Sequence, residues 1–141
     1  MKDGKIRIGL IGAGNICQNA HIPSYLKQPD VELVGVCDIN IARANEVKEK
    51  YNMRFATADI NELVACPDID AVSVCTWNNG HAAAVIAAAK AGKHILCEKP
   101  MAMTVAETLE MKKAVDEAGV VFMMGFVTRY HQATVALKGM R

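Results

Sequence analysis

Aromatic residues make up only 5% of this 141-residue chain, and neither sign of charge dominates, with 16 Lys and Arg against 15 Asp and Glu. Without a basic excess there is no electrostatic footprint for a nucleic-acid backbone, and without aromatics no platform for stacked bases. No apolar run approaches membrane-spanning length, because Lys90 ends the stretch from Ala82 to Ala89. The segment from Met1 to Lys5 and the short run after it, broken by Arg7, do not make a signal sequence. Cys-x-x-Cys spacing is missing: Cys17, Cys37, Cys66, Cys75 and Cys97 are odd in number, and the closest pair is nine apart. That pattern predicts free thiols in a reducing compartment, no metal site, and a soluble, cytoplasmic protein. Disorder is excluded too, since 52% of residues are hydrophobic and only 22% are charged.

What is present is alternation. Apolar strand-like runs at Ile6–Ile11, Val31–Cys37, 54–56, Ala71–Cys75, His94–Cys97 and 120–124 are separated by amphipathic stretches. The spacing predicts helices over 15–27 (interrupted at Pro23), from a cap at Asn40 to about Tyr51, over 60–65, from Asn79 or Gly80 to a left-handed stop at Gly92, from Thr104 to Gly119, and over 128–138. Thr104 with Glu107 has the capping-box pattern. Strands alternating with helices define an α/β chain, a Rossmann-type doubly wound parallel sheet, whose ligands lie at the carboxyl ends of the strands.

Chemistry is therefore sought at each strand end. The first strand runs into Gly12-Ala13-Gly14-Asn15-Ile16-Cys17. Gly12 suits a tight turn, and Gly14 a close approach of backbone to a pyrophosphate bound by the amides of the helix start. The third small position of the pattern holds Cys17. The second strand ends at Asp38, 24 residues beyond Gly14, where a carboxylate can accept both ribose hydroxyls of an adenosine and repel a 2′-phosphate, favouring NAD over NADP. Arg43 either lies over the adenine or is a solvated surface residue. The fourth strand ends in Cys75-Thr76-Trp77-Asn78-Asn79-Gly80-His81. Asn78 suits a carboxamide or a ribose; His81 is either a ligand or an ordinary first-turn residue. The fifth ends in Glu98-Lys99-Pro100, where Lys99 can stabilise negative charge on an oxidising alcohol and Pro100 invites a cis bond.

Taken in order, Gly9 to Gly14, Asp38, Ala71 to Thr76 with Asn78 and His81, and Ala91-Gly92-Lys93-His94-Ile95-Leu96-Cys97-Glu98-Lys99-Pro100 resemble the glucose–fructose oxidoreductase / inositol dehydrogenase / MocA family of nicotinamide-dependent oxidoreductases. The resemblance implies that residues 1–125 form the NAD(P)-binding domain. Residues 126–141 would begin a crossover helix toward a substrate domain that this chain does not include. It implies that Gly12, Gly14, Asn15 and Ile16 cradle pyrophosphate, that Asp38 binds the adenosine ribose, and that Thr76, Asn78 and His81 lie along the nicotinamide. Glu98 and Lys99 then stand at the cofactor–substrate junction, with Lys99 catalytic. Trp77 replaces the usual Pro and can stack on the cofactor, and Val127-Thr128-Arg129-Tyr130 departs from the usual Asn-Arg-Arg-Phe. The expected activity is hydride transfer between nicotinamide and a secondary alcohol of a sugar or polyol, in a homo-oligomer that touches neither nucleic acid nor membrane. The 141 residues alone are expected to be inactive. The alternative is a non-catalytic dinucleotide-binding sensor or partner-binding module.

Overall fold

The computed structural model describes residues 4–140; residues 1–3, part of the segment read for a signal sequence, and residue 141 lie outside the described residues. Six strands, β1 (Ile6–Ile11), β2 (Val31–Cys37), β3 (Phe55–Thr57), β4 (Ala71–Val74), β5 (His94–Cys97) and β6 (Phe122–Met124), form one parallel sheet in the order β3-β2-β1-β4-β5-β6. The order reverses between β1 and β4, so the crevice that opens there lies at the carboxyl ends of the central strands.

Helices cover both faces. Ile8, Leu10, Cys17, Ile22, Val36, Ala44 and Val47 pack on one side with α1 (Ile22–Tyr25) and α2 (Ile41–Lys50). Ile11, Val34, Leu63, Val72, Val74, Val85, Ala88 and Met111 pack on the other with α3 (Ile60–Ala65), α4 (His81–Lys90) and α5 (Val105–Ala118). Burying each of the larger side chains contributes about 1.5–3 kcal/mol. The β1–β2 register pairs Ile8 with Leu33 but Gly9 with Gly35, so Val34 is an inserted residue. One extra residue reverses the alternation of side chains, which is why Val34 and Val36 enter opposite cores.

The local signals hold at most helix ends. Asn40 Oδ1 accepts from Arg43 N–H at 3.3 Å, the Thr104–Glu107 capping box closes in both directions, and Gly92 and Gly119 are left-handed. Two expectations are corrected. The first helix is not interrupted at Pro23. A π turn over Cys17–His21, in which Ile22 N–H reaches Cys17 carbonyl five residues back, leads into α1, and Pro23 sits in that helix's first turn, where a missing N–H costs least. The segment predicted as one helix over 128–138 is broken at His131: a 3₁₀ turn spans Val127–Tyr130, then α6 (Gln132–Gly139) buries none of its residues. Among the described residues no helix is long and apolar enough to cross a membrane.

Candidate dinucleotide site

The sheet's hydrogen-bond ladder runs one residue past five of the six strands. Gly12 N–H donates to Cys37 carbonyl at 2.7 Å, Cys75 N–H to Ile11 at 2.7 Å, Glu98 N–H to Val74 at 3.0 Å, Asp38 N–H to Thr57 at 3.1 Å and Gly125 N–H to Cys97 at 2.7 Å. The residues singled out at the strand ends are thereby pinned along one rim.

Gly12 and Gly14 serve that rim in opposite ways. Gly12 is buried with φ +95°, and a Cβ there would stand 2.7 Å from the Cys75 carbonyl carbon and 2.8 Å from Thr76 N. Gly14 has no such neighbour, since a Cβ would meet nothing within 4 Å. The first lets β1 and β4 close on each other; the second leaves the approach to the helix mouth open, with Asn15 and Ile16 exposed beside it. That open glycine face at the start of a helix fits a bound pyrophosphate.

Asp38 is buried, and its carboxylate is already engaged. Oδ2 accepts from Ala13 N–H and Oδ1 from Asn40 N–H, both at 2.8 Å, with Arg43 Nη1 3.5 Å from Oδ2. One side chain thus ties the glycine loop to the end of β2. A carboxylate offers about four lone-pair sites, so two backbone bonds leave room for ribose hydroxyls. Arg43 lies against this carboxylate rather than standing free.

At the other half of the rim, Thr76 is half-buried while Trp77, Asn78, Asn79 and Lys99 are exposed. The Lys99–Pro100 peptide is cis. His81 does not face this opening. It is fully buried, with Nδ1 2.6 Å from Pro100 carbonyl and Nε2 3.2 Å from Thr76 carbonyl, so each ring nitrogen faces a backbone oxygen. It brackets the β4–α4 and β5–α5 loops. His81→Phe keeps the shape and removes that bracket, and is expected to lower the unfolding free energy by about 1–3 kcal/mol. An unchanged urea midpoint would refute the bracket.

Nothing in the sequence pattern marks His21, yet it reaches this rim from behind. Its Nε2 is 2.9 Å from Glu98 Oε1 and its Nδ1 is 2.8 Å from Ser73 Oγ. Burial disfavours the imidazolium, but the Cys75 sulfur and the Glu98 carboxylate outweigh it and raise the pKa to about 9. The one signal available was the i, i+4 row Cys17, His21, Tyr25 on a helix flank beside buried Ile22. The five thiols are free. Burial holds Cys37 up to about 11 and Cys97 up to about 12, and contact with Cys17 followed by burial pushes Cys75 higher still, so these three are packing groups rather than nucleophiles. No group of three or more potential metal ligands occurs among the described residues.

Sheet order, glycine turn and an acid at the end of β2 define a dinucleotide-binding Rossmann domain. The family described as "Oxidoreductase family, NAD-binding Rossmann fold" (GFO_IDH_MocA) matches residues 6–126, and the chain belongs to it. It is 37% identical to a myo-inositol 2-dehydrogenase of Thermotoga maritima, over 94% of this chain and 40% of that protein. It is 33% identical to a D-glucoside 3-dehydrogenase of Escherichia coli, over 98% of this chain and 39% of that one. Among solved structures, a 3-ketoreductase variant from Actinomadura kijaniata in complex with TDP-benzene and NADP superposes with a TM-score of 0.88 at 26% identity, over 96% of this chain and 42% of the other. The chain thus spans about 40% of the length of the curated relatives it matches.

Proposed function

We propose that this domain binds NAD in preference to NADP and serves an oxidoreductase acting on a secondary alcohol of a sugar or polyol. The observation that carries the cofactor choice is the buried Asp38 carboxylate beside the glycine loop. Gly12, Gly14, Asn15 and Ile16 would hold the pyrophosphate, Asp38 the adenosine ribose, and Thr76, Trp77, Asn78, Glu98 and Lys99 the nicotinamide half. A nicotinamide bound there supplies a two-electron acceptor for the alcohol carbon. Lys99 is exposed on the rim, and its ammonium would stabilise negative charge gathering on the alcohol oxygen. The substrate class rests on the relatives, which are named for inositol and a glucoside. Residues 1–125 would form the binding domain and 126–141 the start of a crossover, in a cytoplasmic homo-oligomer with no nucleic-acid or membrane partner.

Titrating the chain with NADH and NADPH tests the cofactor assignment. NADH is expected to bind at least about tenfold more tightly, because a 2′-phosphate would crowd the Asp38 carboxylate. Asp38→Ser should narrow or reverse that ratio, since it removes the repulsion along with an acceptor for the ribose. Equal binding of the two by the unaltered chain would refute the role given to Asp38.

A further inference from the structure

Behind the rim a line of polar side chains runs through the sheet to Glu98. The Tyr25 hydroxyl donates to Ser73 Oγ at 3.1 Å, Ser73 Oγ and His21 Nδ1 are 2.8 Å apart, and His21 Nε2 is 2.9 Å from Glu98 Oε1. The other carboxylate oxygen, Oε2, accepts the backbone N–H of Lys99 at 3.2 Å. Ser73 is fully buried, and the side chains of His21 and Glu98 are 8% and 12% exposed. The line starts on the first helix, crosses β4 and ends on the peptide that carries Lys99.

A glutamate has three rotatable bonds, and freezing them costs up to about 1.5–2 kcal/mol, so a carboxylate fixes a peptide only if it is itself held. Here His21 holds it. Packing on the far side adds a limit: a Cβ on Gly125 would lie 3.4 Å from the Glu98 carboxylate. His21 is in turn fixed by Ser73, and Ser73 by Tyr25. A buried network in which each member is partnered fixes a single arrangement of its groups.

We propose that His21 is a positioning residue for the nicotinamide end of the site: through Glu98 it fixes the Glu98–Lys99 peptide, and so the direction in which the Lys99 side chain leaves the rim. The proposal rests on the assignment of Glu98 and Lys99 to that end. The groups facing the imidazole are Glu98 from the end of β5, Ser73 and Cys75 from β4 and its end, and Tyr25 from its own helix, with Cys17 behind Cys75. Burial leads in raising Tyr25, and Cys75 is raised as described, so both keep their protons near neutral pH; the Cys75 sulfur and the Glu98 carboxylate favour the imidazolium together, and of the two only Glu98 reaches the Lys99 peptide. Losing the His21 proton leaves a neutral ring whose Nε2–H still donates to Glu98, but it removes the positive charge beside the carboxylate, weakens that bond and loosens the Lys99 peptide.

Two measurements on the 141-residue chain decide it. In a pH titration followed by NMR, the Lys99 amide should shift with the same midpoint as the His21 ring, and Glu98→Gln should abolish that shared step. A Lys99 amide indifferent to His21 overturns the proposal. Calorimetry with NADH and with ADP-ribose separates positioning from scaffolding. His21→Leu is expected to weaken NADH about tenfold, the size of one lost charge-assisted hydrogen bond, and ADP-ribose by less than about twofold. His21→Gln, which keeps a donor, should restore much of the loss. Equal weakening of both ligands means a structural role only and overturns the proposal. Should His21→Leu fail to fold, the titration of the unaltered chain and the Gln variant still decide. Should the unaltered chain bind no NADH, the cofactor assignment fails while the Lys99 amide continues to test His21.

Discussion

Gly12→Ala is expected to cost the chain at least about 3 kcal/mol of stability, and its dinucleotide affinity with it. Two causes act together. The φ of +95° lies where an L side chain is strained, and the new methyl would press on backbone atoms of Cys75 and Thr76, which no rotamer change can move aside. Relief requires β1 and β4 to part at the switch point of the sheet. Gly14→Ala has neither cause, since its Cβ projects into open space. That variant should unfold within about 0.5 kcal/mol of the parent yet bind NADH at least about tenfold more weakly, because the methyl occupies the approach to the pyrophosphate. Urea unfolding and a fluorescence titration on both variants check the contrast. A stable Gly12→Ala would show that the turn can relax, and a Gly14→Ala that binds normally would move the phosphate elsewhere.

Raising the pH from about 6.5 to 9 is expected to remove up to about 3 kcal/mol of stability through His21. The folded-state pKa of about 9 lies above the ordinary 6.5, so the folded chain holds a proton that the unfolded chain has released in this window. The contribution is complete below about 6.5 and is lost as the pH passes through about 9. From there the buried thiols act in the same direction. Cys37 and Cys97 stay protonated when folded, to about 11 and about 12, while unfolded thiols ionise near 9. Stability should therefore fall continuously from neutral to alkaline pH. Urea midpoints across that range measure it. Glu98→Gln should make the lower part of the curve shallower, leaving the share due to the Cys75 sulfur, and leave the thiol part; a Glu98→Gln curve with the parent's slope between 6.5 and 9 would remove Glu98 from the account.

The strands, the caps at Asn40 and Thr104 and the glycine turn were legible because each is a local pattern: an apolar run, a side-chain acceptor three residues before an amide, a glycine where the backbone turns left. The strand-end residues were legible for the same reason, since the fold rule says where to look. His21 was not, because its partner Glu98 is 77 residues away and its orientation depends on a π turn that no residue pattern announces. His81 was half legible. Its place in the first turn of α4 follows from sequence, but whether it faces ligand or interior depends on where the Pro100 carbonyl lies. Trp77 is exposed on the rim, open to the stacking expected of it, and the sequence alone could not have said so.

The π turn also makes segment length a property under constraint. Ile22 N–H closes on the Cys17 carbonyl five residues back where an α turn closes on the fourth, so the turn already holds one residue more than a regular helix; with about 100° of rotation per residue, a further insertion among Gln18–Ala20 would swing His21 away from Ser73 and Glu98. Substitution at Asn19 or Ala20, both exposed, changes little of this geometry, whereas a single-codon insertion changes all of it. At exposed positions such as Asn19 and Ala20 this stretch can drift in composition, but it cannot lengthen.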